Sequence, residues 1–533
     1  MQNVQNNEAL AAALRGKTRV RVLGLTFDDV VRYFFAGNAT VAVIVLVLIL
    51  VFLTKEGIGF FGQNQTNLSV YRKAGLEYVD LIRQPIEEFS SLTRSLNEIR
   101  VLRFKALTAT GKDPAEANEA LAAFDAFSSK LSGAPGDARG LVSDLTEAAS
   151  AIKTRAQVNA DREEQKAMLL HAGKKDEAQA VTVEVIDFGK EVQALTGTLP
   201  AWKEAAQDFQ QKLGALVTSA RSEEWAKADV SIQKLLVRVE KFSKELSSIE
   251  GNLAAWRWDK PVRFHESVTA FLFGREWITA SFWQDWYGML PLLSGSLLVS
   301  FIAILIAVPL AISAAIYVSE VATPGEKALI KPYIEFISAI PSVVLGFFGI
   351  AILGTVLRSV SEVSWLNWIP GFPMPERLNA FTAGCLLALT SIPTIFSLAE
   401  DAITNVPKHF KEASFALGAT RLQTLIRVLI PASLSGIISA ILLGFGRVVG
   451  ETMVVLLCAG NRIAIPDFSH GLGAFFQPVH TMTGIIAQEM GEVPNGSIHY
   501  RALFMVGIML FLISLGINYV AQQIVRRYRI SIG

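Results

Sequence analysis

Cysteine is almost absent from this chain: Cys385 and Cys458 are the only two in 533 residues, and both sit inside apolar stretches. That excludes a disulfide framework and a cysteine-based metal site, and leaves two small core hydrophobes. Net charge is equally sparse at +1, so the clustered basic excess that nucleic-acid binding demands is missing. Charged residues make up 18% of the chain against 51% apolar, less charge than a water-soluble protein of this length carries. Mean hydropathy is +0.39. No complete G-x-x-x-x-G-K-[ST] loop occurs; Thr110-Gly111-Lys112 lacks the earlier glycine and the following hydroxyl residue. His470, His480 and His499 have no metal-ligand spacing and read as ordinary polar residues. The sequence therefore predicts no catalytic, metal or cofactor site of its own.

What the chain does have is long apolar runs. The first, residues 36–53, matches the roughly 20 residues that cross a bilayer core. It begins too late for a cleaved signal, and Lys55-Glu56-Gly57 follows instead of a small-x-small cleavage site, so it reads as a retained helix. Arg15, Lys17, Arg19, Arg21 and Arg32 precede it and place residues 1–35 in the cytoplasm by the positive-inside rule. Further spans are predicted at 290–318, 330–357, 379–398, 434–457 and 502–525. The basic clusters test that layout. Lys327 and Lys331, then Lys408, Lys411, Arg421 and Arg427, then Arg526, Arg527 and Arg529 all fall on the cytoplasmic side. Trp277, Trp283, Trp286 and Tyr287, just before the second span, read as an interfacial aromatic cluster.

Residues 54–285 differ in character. Phe89, Leu92, Leu96, Ile99, Arg103 and Ala106 recur at three- and four-residue steps, and Ile232, Leu235, Val239, Phe242, Leu246 and Ile249 repeat the spacing without a polar interruption. Such seams belong to helices of a bundle or antiparallel coiled coil. Asp113-Pro114 reads as an N-cap with proline at the first helical position, and Gly133 as a stop. The expectation is an all-α polytopic membrane protein: six spans, with a soluble, extracytoplasmic (periplasmic) helical domain after the first and the remaining five in residues 286–533.

The most informative stretch is the loop 400–432, where Glu412-Ala413-Ser414, three residues, Gly418, then Val428, Ile430 and Pro431 occur. This resembles the EAA loop of ABC importer permeases, with Glu412, Ala413, Gly418 and Pro431 matching and Ser414, Val428 and Ile430 departing conservatively. The pattern suits two short helices joined at a glycine. The resemblance implies the type I permease fold, and an elbow that couples to separate cytoplasmic ATP-binding subunits. In the fifth span, Arg447 and Glu451 stand four apart and are expected to share a helix face and pair. Gly450-Glu451-Thr452-Met453 with Ala459-Gly460-Asn461 is similar to the signature of phosphate-specific (Pst-type) permeases, nearer PstC than PstA. Ile340-Pro341-Ser342 and Ser391-Ile392-Pro393 resemble two further family segments.

That resemblance implies a phosphate path lined by Arg447, Glu451 and Thr452, an extracytoplasmic phosphate-binding protein, and a second permease subunit. A guanidinium matches phosphate oxygens, so Arg447 is expected to attract the anion and Glu451 to hold Arg447 in place. Pro309, Pro341 and Pro393 are expected to break their helices, with Pro341 and Pro393 as pivots. Permeation of another oxyanion (molybdate, sulfate or phosphonate) stays open. A transmembrane sensor with a periplasmic helical domain would continue into a signalling coiled coil where this chain makes further spans.

Overall fold

The computed structural model describes residues 21–22, 25–227, 230–246, 248–279, 281, 283–366 and 368–528. Arg15, Lys17, Arg19 and Arg529, and most of the expected cytoplasmic segment 1–35, lie outside them. Phe61–Tyr287 forms one compact unit, and the described residues on either side of it form the other.

The first helix, α1 (Phe27–Lys73), has 47 residues. At 1.5 Å per residue it is about 70 Å long, more than twice a bilayer core. From Val41 to Phe52 its large apolar side chains are exposed on every face, the condition of a helix whose solvent is hydrocarbon. The boundary expected at residue 54 falls inside this helix. Gly57 costs about 1 kcal/mol there, too little to end it.

The inserted unit is built on α2 (Leu76–Ala109), α3 (Pro114–Gly133), α4 (Gly136–His171), α5 (Leu199–Ser222) and α6 (Val230–Leu246). Phe89, Leu92 and Leu96 on α2 and Ile232, Leu235, Val239, Phe242 and Leu246 on α6 are buried in one core with Trp202 and Phe209. Phe89 stands edge-on to Phe209 with ring centroids 5.0 Å apart. Asp113 stands at the N-cap position of α3 without a side-chain capping bond, Pro114 is its first residue and Gly133 its last. The aromatic cluster corrects the sequence reading. Trp277, Trp283 and Tyr287 are buried within this unit and do not form a lipid-facing belt. Trp283 packs under the Arg83 guanidinium at 4.8 Å, accepts from Lys153 Nζ at its carbonyl (2.7 Å), and donates from Nε1 toward Asp80. Large rings with one polar atom go inside when that atom finds a partner, and here it does.

The membrane unit continues with α7 (Leu290–Ile316), α8 (Pro324–Ile337), α9 (Ser342–Phe348), α10 (Ala380–Thr404), α11 (Lys408–Ala416), α12 (Ile430–Val449), α13 (Met482–Glu489) and α14 (Ile498–Tyr528). Six helices among the described residues are long and apolar enough to cross a membrane: Val31–Lys73, Leu290–Val321, Ser342–Ser361, Ala380–Thr404, Arg421–Val449 and Ile498–Ile524. Ala307, Ala311 and Ala315 form a small-residue row on α7, buried with Ala388, Ile395, Phe396 and Ala399 of α10. Small side chains let membrane helices approach closely and gain dispersion contacts where hydrophobic burial offers little. A methyl group at Gly444 would meet Ile395, which brings α12 onto α10 in the same way.

Two spans differ from expectation. The third begins at Ser342, because Pro324–Ile337 is a separate amphipathic helix opened by a Thr323–Glu326 capping box and closed before Pro341. Its lysines bond neighbouring elements: Lys331, 40% exposed, pairs with Glu400 at 2.7 Å and Lys327 donates to the Ser319 carbonyl. The fifth span ends at Val449, well short of residue 457.

Candidate functional site: the elbow and the helix break

The elbow forms because each local choice agrees with the turn. At the end of α11, Ala419 N–H bonds the Ser414 carbonyl (3.2 Å) and Gly418 N–H bonds that of Phe415 (2.9 Å), the paired bonds of a Schellman stop. Gly418 adopts φ 83° with no heavy atom crowding the place of a side chain, so backbone angle alone demands glycine. Thr420 restarts the helix by a capping box with Gln423. The helix then passes through one π turn, Leu425–Leu429, before Pro431. A proline lacks the N–H for the regular bond, and its ring crowds the carbonyl four residues back, so the widened turn relieves both.

Ser414 and Thr424 hydroxyls, 2.9 Å apart, tie the two limbs. Lys411 pairs with Glu320 at 2.5 Å, joining the elbow to the π turn Tyr317–Val321 that ends α7. Glu412, Ala413 and Gly418 are exposed on the elbow's outer surface. Phe415 is 47% exposed, Leu422 64% and Leu417 89%, apolar side chains left uncovered by the described residues.

The expected ion pair is absent. Arg447 is exposed on α12 and donates from Nη1 to Thr394 Oγ1 of α10 at 3.0 Å. The helix stops at Val449, with Gly450 at its C-cap, so Glu451 is not on the Arg447 face and no ion pair forms between them. The i, i+4 argument assumed one continuous helix, and the assumption fails at Gly450-Glu451-Thr452. Thr452 N–H donates to Glu451 Oε1 at 3.2 Å, and a six-residue helix, Met453–Cys458, follows.

Glu451 instead lines a small cavity with Ser296 and Ser300 of α7, Thr481 and Thr483 at the start of α13, and the apolar Val448 and Val455. Sequence reasoning missed all four hydroxyl residues. Ser296 and Ser300, four apart and so on one face of a span without charged residues, were the available signal.

Residues 307–530 match the family described as the binding-protein-dependent transport system inner membrane component. The chain is 35% identical over 229 residues to the probable ABC transporter permease protein YqgH of Bacillus subtilis, covering 43% of this chain and 68% of that protein. It is 30% identical over 290 residues to the phosphate transport system permease protein PstC of Pasteurella multocida, covering 53% of this chain and 86% of that one. The chain belongs to the PstC-like permeases. A solved structure of the MetNI methionine ABC transporter overlaps 45% of this chain and 94% of its own at 18% identity, with a TM-score of 0.33.

The prolines of this permease behave differently from expectation. Pro309 and Pro393 lie inside helices α7 and α10 that remain continuous. Each removes one backbone donor without ending its helix, since packed neighbours hold membrane helices through such a gap. Pro341 alone stands at an interruption, between α8 and α9, as the N-cap of the latter. His480 is buried and hydrogen-bonds Gln488 at 3.0 Å, and His499 bonds Glu489 at 2.7 Å; the side chain of His470 is not among those described.

Proposed function

We propose that this chain is the permease subunit of an ATP-driven importer of inorganic phosphate. The observation that carries the reading is the PstC relative of which the chain covers 86% at 30% identity. The hinged, apolar-faced elbow adds support, because it has the form needed to receive motion from another polypeptide. ATP hydrolysis belongs to separate cytoplasmic subunits that dock on Glu412, Ala413 and the exposed Phe415, Leu417 and Leu422. A second permease subunit completes the path, and an extracytoplasmic phosphate-binding protein delivers the anion. The basic residues flanking the spans favour cytoplasmic N- and C-termini, with Phe61–Tyr287 in the periplasm.

Arg447 is the side chain that draws the anion into the bilayer. A charge at that depth costs about 2.5–3.5 kcal/mol unless something compensates it, and a guanidinium offers planar donors to phosphate oxygens. Pro341, between two helices, serves as a pivot when the elbow moves.

The test is ATP-dependent uptake of radiolabelled phosphate into vesicles carrying the complete complex, with molybdate and sulfate as competitors. Uptake suppressed only by excess unlabelled phosphate supports the reading. Preferential transport of molybdate or sulfate, or no ATP-dependent uptake, overturns it.

A further inference from the structure

A cavity of about 420 Å³ opens between α12 and α14, sharing no residue with the elbow or with the break at Gly450. Its polar lining follows one face of α14. Asn518, Gln522 and Arg526 stand four residues apart in succession, so they fall one above another over about 12 Å of helix. The stretch apolar enough to cross a membrane ends at Ile524. Arg526 therefore lies just past the hydrocarbon, and the two amides lie within the last two turns of the span.

None of the three has the partner its chemistry calls for. Neither α12 nor α14 contains an Asp or Glu, and Arg526 makes no ion pair among the described residues. The side chains of Asn518 and Gln522 have no hydrogen-bond partner among those residues either. Ser439, on the α12 side, donates to the Ser435 carbonyl at 2.9 Å and keeps only acceptor capacity. The remaining walls, Leu442, Leu443 and Ala521, are apolar. In a soluble protein water would satisfy these groups, but unpaired amides inside a span are costly.

The order of groups along α14 matches one kind of guest. A guanidinium at the membrane edge takes phosphate oxygens. Amide N–H groups one and two turns deeper take carbonyl oxygens, and the apolar walls take hydrocarbon. A glycerophospholipid presents phosphate, ester carbonyls and acyl chains in that sequence from the surface inward. The cavity has the size of a small-molecule site, and exposed Leu443 leaves its flank open for the chains. A helix of another subunit fits less well, because its backbone carbonyls are already bonded within the helix. With no carboxylate in the lining to receive an ammonium, a headgroup of net negative charge is preferred to a zwitterion.

We propose that this cavity binds an anionic phospholipid, with Arg526 on the phosphate, Gln522 and Asn518 on the ester carbonyls, and Leu442 and Leu443 against the chains. Basic pockets between membrane helices hold anionic headgroups in this way. The inference needs only that α12 and α14 span the membrane, and it goes beyond phosphate import.

The test is retention of radiolabelled phosphatidylglycerol by the complete complex purified in detergent, competed by unlabelled phosphatidylglycerol, phosphatidylcholine or inorganic phosphate. Phosphatidylglycerol is expected to displace the label about tenfold more effectively than phosphatidylcholine, the worth of one charge-assisted contact, and inorganic phosphate not to displace it. Arg526→Gln is expected to weaken retention by a similar factor, Arg526→Lys to keep most of it, and Asn518→Leu with Gln522→Leu to weaken it several-fold. A photoreactive amino acid in place of Leu443 is expected to label lipid. Equal displacement by phosphatidylcholine, or displacement by inorganic phosphate, overturns the inference without need of a variant. Unchanged retention in Arg526→Gln overturns it too, as does a cross-link from position 443 to another subunit in place of lipid. Phosphate uptake is measured separately, and its absence strikes the importer reading and leaves the lipid site standing.

Discussion

Reversing the charge at Lys411 tests whether the elbow pulls on the membrane core through one ion pair. Lys411 sits on α11 and meets Glu320 at 2.5 Å, with side chains 30% and 15% exposed. Glu320 belongs to the π turn that ends α7, and the alanine row of α7 is buried with α10. In Lys411→Glu two carboxylates replace the pair. At a separation of about 4 Å and an effective dielectric near 20, the repulsion is about 4 kcal/mol. Both side chains reach partial solvent and will swing apart, so a retained penalty of about 2 kcal/mol is the working figure. The elbow then detaches from α7, while the Ser414–Thr424 bond keeps its own shape. The assay is phosphate accumulated per ATP hydrolysed in vesicles. Lys411→Glu is expected to lower that ratio about tenfold or more with hydrolysis still present, and Lys411→Glu with Glu320→Lys to recover most of it. Normal coupling in the single variant, or no recovery in the double, refutes the relay.

Three further outcomes follow from single sites. Arg447→Gln is expected to cut phosphate uptake by roughly tenfold to a hundredfold, the worth of one charge-assisted hydrogen bond, with membrane insertion intact; normal uptake removes Arg447 from the path. Gly418→Val forces a β-branched residue to φ 83° at about 1–3 kcal/mol, so co-purification with the ATP-binding subunits should fall, whereas Gly418→Asn, which tolerates that angle, should retain it. In the inserted unit, burial pushes the Asp80 carboxyl above the usual carboxylate range, partly offset by the Tyr71 hydroxyl and Arg83. The folded state therefore holds that proton over a window where the unfolded chain has released it, and stability falls as pH rises through that window. Hydrogen exchange in Leu76–Ala109 of the full-length protein should quicken across it, and Asp80→Asn should flatten the dependence; an unchanged slope contradicts the assignment.

The sequence was most legible where one local rule decides the outcome. The three- and four-residue steps of α2 and α6 depend only on side-chain period, and the buried Phe89, Leu96, Ile232 and Val239 follow them. The elbow was legible for a similar reason: Gly418 just before the Thr420 cap has few backbone solutions, and the chain takes the expected one. Lys331 was less transparent. Hydropathy merged α8 with the span after it, because a lysine that pairs with Glu400 of α10 looks, in sequence, like an unpaired one at a membrane edge. The tryptophans before α7 misled in the same way. An interfacial ring and a buried ring both want one polar partner, and only the fold shows that Trp283 finds Asp80 and Lys153.

Glu451 shows why one acid of the site was readable and its surroundings were not. Apolar residues continue on both sides of Gly450-Glu451-Thr452, so nothing in composition ends the helix there. What ends it is tertiary. Thr483 takes the Glu451 carbonyl and Ser296 takes the Met482 N–H, bonds that cross 32 and 186 residues of sequence. Backbone groups released from the helix ladder must be satisfied elsewhere inside a membrane. The hydroxyls that satisfy the break therefore also line the cavity it opens. The break thus surrounds the Glu451 carboxylate with hydroxyl neighbours, where a continuous helix would have set it one turn from Arg447. Replacing Thr483 by valine removes one of those bonds and leaves the Glu451 carbonyl without its donor. The reach of the break into the rest of the site then depends on whether Ser296 and Thr481, held from the α13 side by backbone donors, keep their places without it.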